Sequence, residues 1–115
     1  MISVNKIDDI IKLAESREKT YNSNNKSEFE KLDKSLENYL YNLTYDEVKS
    51  LQAIMYLGRD QDYDKNLSQQ EIYNSQYEYF DKTIGWNSKE LDINQMHEKL
   101  PLGAYLINAK EILGL

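Results

Sequence analysis

The stretch Leu43–Asp60, LTYDEVKSLQAIMYLGRD, decides the fold, because a helix start, an apolar face and a helix stop are all written in it. Thr44 stands three residues before Glu47, so each side chain can satisfy the other's backbone N–H in the first turn, as a capping box. Leu43 and Val48 flank that turn as a hydrophobic staple. Val48, Leu51 and Met55, with Ile54 to one side, then recur at helical spacing and form a stripe that other elements must cover. Gly58, just past the apolar run, predicts a left-handed cap that closes a helix over 45–57.

The same grammar recurs on both sides. Towards the N-terminus, Asn5 is the expected cap of a helix over 5–19, with Ile7, Ile10, Ile11 and Ala14 on one face. A polar break from Asn22 to Lys26 reads as a loop. Ser27 and Glu30 then match a second capping box, opening a helix over 28–41 that carries Phe29, Leu32, Leu36, Tyr39 and Leu40. Only Asn42 and Leu43 separate it from the next helix, so the two should be antiparallel neighbours. Towards the C-terminus, RDQDYDKNL (59–67) has no apolar period and reads as a loop. Ser68 and Glu71 form a third box, stapled by Leu67 and Ile72, for a helix over 69–83. Asn87 with Glu90 suggests a short helix over 88–98. Pro101 suits the first turn of a last helix over 101–113, whose stripe runs from Leu102 through Leu106 and Ala109 to Leu113, with Gly114 as terminator. No segment alternates for long in the strand period. The expectation is one all-α domain over 1–115, a bundle of five or six helices.

Composition narrows the function classes. The 115 residues hold 20 acidic against 14 basic side chains, a net charge of -6, with 40% hydrophobic and 30% charged residues and no cysteine. The balance is that of a globular chain, and its sign opposes non-specific binding to nucleic acid or an anionic membrane while favouring a basic partner. Thiolate catalysis, thiolate metal sites and disulfides are excluded. MISVNKIDDI lacks the apolar core of an export signal, and no run of about 18 apolar residues exists, so a cytoplasmic protein is expected.

Two segments, MYLGRD (55–60) and LPLGAYLINAKEIL (100–113), resemble a bacterial family of small helical domains of unknown function, which carries an aromatic-Leu-Gly-Arg helix end and a closing Pro-Leu, Tyr-Leu helix. The resemblance spans about two thirds of the chain, from Leu43 onward. It implies a helical domain without an assigned activity and transfers no functional residue. The Asp-rich loop after Arg59 departs from that pattern.

That loop is the one segment with metal-ligand spacing. In DQDYDKNLSQQE (60–71), Asp60, Asp62 and Asp64 fall at positions 1, 3 and 5 of an EF-hand-like frame and Glu71 at position 12. Lys65 stands where the turn wants glycine, and Ser68 and Glu71 are already accounted for as cap residues. His97, the only histidine, has no partner that announces a zinc site. No nucleophile elbow, phosphate loop or dinucleotide motif is present, so no enzyme is expected. Ten tyrosines are many for this length. Tyr73, Tyr77 and Phe80 share a face and read as core, which leaves Tyr63 and Tyr79 as candidate partner contacts. Arg59 reads as a tie on its helix end or as a ligand-facing cation. Together these point to a non-catalytic interaction module of the inhibitor or immunity type, facing an unidentified, basic protein. The alternative is a calcium-binding domain using Asp60, Asp62, Asp64 and Glu71.

Overall fold

Both halves of the Thr44 capping box form: Glu47 N donates to Thr44 Oγ1 at 3.1 Å, and Thr44 N to Glu47 Oε1 at 3.0 Å. Ser68 and Glu71 repeat the arrangement at 3.2 and 3.0 Å. In the computed structural model, which describes residues 1–115, these starts belong to two of six α-helices: α1 (Val4–Asn22), α2 (Lys26–Tyr41), α3 (Tyr45–Asp60), α4 (Gln69–Tyr79), α5 (Lys89–His97) and α6 (Leu102–Leu113). There is no strand, and the chain is an all-α bundle.

Three of the other starts lie elsewhere than the sequence predicts. Ser3, not Asn5, caps α1 by accepting from Lys6 N at 3.3 Å, which lets the helix begin at Val4. Asn25, not Ser27, caps α2 by accepting from Glu28 N at 3.2 Å. Ser88, not Asn87, caps α5 by accepting from Leu91 N. In each case two good capping residues stand within two positions, and the one whose side chain reaches the third N–H ahead wins.

The larger correction concerns Gly58, which does not end α3. The helix continues to Asp60, and the left-handed residue is Gln61 at φ 52°, whose N–H donates to Leu57 O at 2.8 Å. Gly58 is buried where α6 crosses. A Cβ built on it would sit inside the van der Waals range of the Tyr105 carbonyl oxygen, 2.8 Å from that carbonyl's carbon and 2.9 Å from Ala109 N. Glycine is therefore required by backbone proximity, not by conformation.

α3 runs through the centre of the molecule. Ser50, Leu51, Gln52, Ala53, Ile54 and Met55 are all buried in sequence, so it presents no solvent face along that run. α6 packs along it and also against α1, while α4 and α5 cover its remaining sides. α1 and α2 are antiparallel: Tyr39 Oη donates to Asp9 Oδ2 at 2.9 Å near one end and Arg17 to Asp33 Oδ1 at 2.9 Å near the other. Leu36 and Leu40 of α2, Ile7 and Ile10 of α1, and Leu102 and Leu106 of α6 are fully buried in one continuous core.

Two tyrosines tie this core's helices together. Tyr45 Oη donates to Asp92 Oδ2 at 2.7 Å and Tyr39 to Asp9. Desolvation first, then the carboxylate partner, pushes both phenols up to about 12. Their folded pKa values lie above the unfolded value near 10, so their contribution is fully present below about pH 10 and is lost as pH rises towards 12. Urea unfolding between pH 9 and 12 is expected to show stability falling over that window, with a shallower fall in Tyr39→Phe/Tyr45→Phe. Tyr73 and Tyr77 are shifted the same way by burial, so some slope persists in the double variant. An unchanged slope in that variant would contradict the two bonds.

Candidate functional site

α4 does not run smoothly to its end. After Tyr79 the backbone widens into one turn of π-helix, Phe80–Ile84, closed by Gly85 N donating to Phe80 O at 2.7 Å. Such turns are uncommon and recur at functional sites. Here the turn places Phe80 against α3 and lets Asp81 Oδ1 accept from Trp86 Nε1 at 2.8 Å. Phe80 consequently lies in an aromatic row, stacked on Tyr56 with centroids 5.2 Å apart and on Trp86 at 5.7 Å. Arg59 lies over Tyr56, 4.4 Å from its ring centroid.

Between this row, the last turns of α3 and the 61–68 loop lies a cleft of about 740 Å³. Five side chains give it an apolar or aromatic lining: Tyr56, Tyr63, Tyr79, Phe80 and Ile84. Tyr79 is 52% exposed and Ile84 55%, so both stand on the rim. Four carboxamides, Gln52, Gln76, Asn87 and Gln95, supply neutral polar groups. Gln95 Oε1 accepts from Tyr56 Oη at 3.0 Å, which fixes both. Gln52 differs: it is 4% exposed, and its Oε1 is buried without any hydrogen-bond donor. A buried acceptor left unmet costs about 1 to 3 kcal/mol.

The charge in the cleft is uneven. Its lining holds Asp60, Asp62, Asp64 and Arg59, three carboxylates against one guanidinium, so two negative charges remain. Arg59 and Asp60 hold each other, Nε to Oδ1 at 2.8 Å and a second nitrogen to Oδ2 at 3.4 Å. Arg59 thus pairs with a side chain and an aromatic face rather than tying down the helix carbonyls. Asp62 and Asp64 have no ion-pair partner. A small carboxylate group in a concave wall attracts cations more strongly than the same group on a convex surface.

The calcium-ligand set is not assembled by this geometry. Glu71 is engaged at the start of its own helix, accepting from Ser68 N at 3.0 Å, a bond that lowers its pKa. Asp60 is paired with Arg59, and Asp64 Oδ1 accepts from Asn66 N at 2.9 Å. No three His, Asp or Glu side chains converge as a metal-ligand group anywhere in the chain. The frame that spacing drew across 60–71 is cut at both ends, because α3 keeps Asp60 within its last turn and α4 uses Glu71 to start. Calcium wants six to eight oxygens, and in this arrangement Asp60 and Glu71 already have other partners.

Of the two candidate contact residues, Tyr79 is exposed on the rim, and Tyr63 lines the same cleft while packing partly on the core. Gln52, Gln95, Phe80 and Trp86 escaped the sequence reading as site residues. Gln52 did carry a signal, since it falls four residues after Val48 on a helix whose neighbouring positions are apolar. His97 belongs to another cluster, its Nε2 3.0 Å from Asp33 O.

Fold and cleft together define a small all-α protein with an acidic, aromatic-walled recess at the junction of α3, α4 and α5. No family model, curated protein or solved structure matches the chain. No helix is long and apolar enough to cross a membrane.

Proposed function

We propose that the chain is a non-catalytic interaction module of the inhibitor or immunity type that binds a basic protein partner through this cleft. The observation that carries the reading is the pair of carboxylates without an ion-pair partner, Asp62 and Asp64, lining the same concave site as the exposed Tyr79 and Ile84. Aromatic side chains supply contact area at low entropic cost, and unpaired acidic groups steer an oppositely charged partner and fix its register. The net charge of -6 extends the same preference to the whole surface.

Capture from the native cell tests it, with three baits run in parallel. Wild type and Glu30→Gln, which lies on α2 outside the cleft, are expected to retain the same basic protein at low and moderate salt. Asp62→Lys/Asp64→Lys should lose it, because charge reversal replaces attraction with repulsion at the mouth. Equal retention by all three baits, or a partner set with no basic member, would defeat the proposal.

A further inference from the structure

We infer that the segment 84–87 is a strap that opens and closes the cleft, with Trp86 as its latch and Gly85 as its hinge. The inference goes beyond the interaction reading, because it concerns the free protein and stands or falls without a partner. Ile84, Gly85 and Asn87 line the cleft, and Trp86 does not. The strap therefore forms part of the cleft's wall, while the side chain in its middle is held by α4, the π-turn and α3. Trp86 stacks on Phe80 at 5.7 Å and tilts against Tyr77 at 5.6 Å between centroids, with the Lys49 ammonium 5.7 Å from its own ring centroid. Its Nε1 donates to Asp81 Oδ1 at 2.8 Å.

Little else fastens the strap. Ile84, Gly85 and Asn87 are exposed, and Trp86 alone is half-buried. The backbone N–H groups of Trp86, Asn87 and Ser88 donate to no backbone carbonyl, so the bond from Gly85 N to Phe80 O at 2.7 Å is the last one before α5 begins. A segment with exposed backbone and one anchoring side chain opens locally at far lower cost than a packed helix. Gly85 supplies the pivot. It stands at φ 83° and ψ 161°, a region essentially restricted to glycine, yet a Cβ built on it would meet nothing within 4 Å. Glycine is required there by conformation and not by space. A side chain at 85 would therefore penalise the closed strap without obstructing it, and the penalty is relieved when the strap lifts and the backbone relaxes. Lifting breaks the Gly85 bond, releases Trp86 and removes the part of the wall that Ile84, Gly85 and Asn87 provide.

Hydrogen exchange, read amide by amide on the labelled protein, tests the latch and the hinge in wild type, Trp86→Ala and Gly85→Ala. In wild type the Gly85 amide is expected to be at least about a hundredfold less protected than those of Leu51, Ile54 and Met55 in α3, and to exchange at a rate that low urea leaves unchanged. Each substitution should lower Gly85 protection by at least about fivefold, one by removing the aromatic and cation contacts and the other by straining the closed backbone. In both variants Gly85 should stay less protected than the α3 amides. Cleft access is read separately. The chain has no cysteine, so Gln52→Cys places a single thiol in the cleft lining, and Gln95→Cys gives a second position. Trp86→Ala in either background should raise the rate of iodoacetamide labelling at least about fivefold, in step with Gly85 exchange. Gly85 exchanging at the rate of the α3 amides in wild type overturns the strap, because it then opens only when the whole protein unfolds. Unchanged Gly85 protection in Trp86→Ala overturns the latch, and unchanged protection in Gly85→Ala overturns the hinge. Faster Gly85 exchange with unchanged labelling at both cysteines overturns the gate, because the strap then moves without exposing the cleft.

Discussion

Gly58→Ala is expected to destabilise the protein by about 3 kcal/mol, a large loss for the addition of one methyl group. An ordinary alanine replacement inside a helix raises helix propensity, so intrinsic preference alone predicts a gain of up to about 1 kcal/mol. The opposite sign follows from what the methyl would meet, the backbone of Tyr105 and Ala109 rather than a side chain that can turn aside. Backbone can yield only if α6 moves off α3, and α6 is also held against α1. Gly58→Asn and Gly58→Val should be worse than alanine, since each adds atoms beyond the Cβ. A left-handed cap would have given a different order, with asparagine the mildest. Gly103→Ala is the internal control. Its Cβ would approach Glu15 Cγ at 2.8 Å, the stem of a flexible side chain, and a smaller loss is expected. Thermal melts suffice for the comparison, with a drop of roughly 10 °C or more for Gly58→Ala. A change within about 0.5 kcal/mol of wild type would contradict the close crossing of the two helices.

Arg17→Ala is expected to cost about 3 kcal/mol, by a different mechanism. The Arg17 side chain is almost wholly buried, and its guanidinium joins three parts of the chain. One terminal nitrogen donates to Asp33 Oδ1 at 2.9 Å and to His97 O at 2.6 Å, and the other donates to Lys99 O at 2.8 Å. It therefore fastens α1 to α2 and to the turn between α5 and α6. Removing it leaves two backbone carbonyls and a half-buried carboxylate without their donor, and unmet buried acceptors are costlier than the bonds were favourable. Arg17→Lys should recover less than half of the loss, because an ammonium is a single centre and cannot span the same three acceptors. Urea unfolding measures both variants. A loss below about 1 kcal/mol for alanine would mean that water replaces the guanidinium freely, contrary to its burial.

The parts of this fold that could be read from sequence are those whose cause is local. A capping box needs only two residues three apart, so Thr44 with Glu47 and Ser68 with Glu71 were readable, as was the stripe that α6 turns inward. Where two capping residues compete within two positions, as Asn25 does with Ser27, geometry decides and spacing does not. Gly58 was misread because its role depends on α6, which approaches only in the folded chain. The calcium frame meets a related limit: spacing shows which carboxylates are available and not which are already engaged, and Glu71 is engaged by Ser68. Arg17 continues the line of Ile7, Ile10 and Ala14, and Gln52 sits within the buried run of α3. A polar group on an apolar face was a visible anomaly in both cases. What it bonds, or that it bonds nothing, was not visible, nor was the π-turn that aims Phe80 at Tyr56.

The central claim is that a basic partner docks in the cleft where α3, α4 and α5 meet, and amide chemical-shift mapping of the labelled protein with its captured partner tests it most directly. Binding there predicts the largest shifts at residues 52–64, 76–87 and 95, weakened by added salt and abolished by Asp62→Lys/Asp64→Lys. Shifts centred on the exposed faces of α1 and α2, with the cleft amides unmoved, would contradict it.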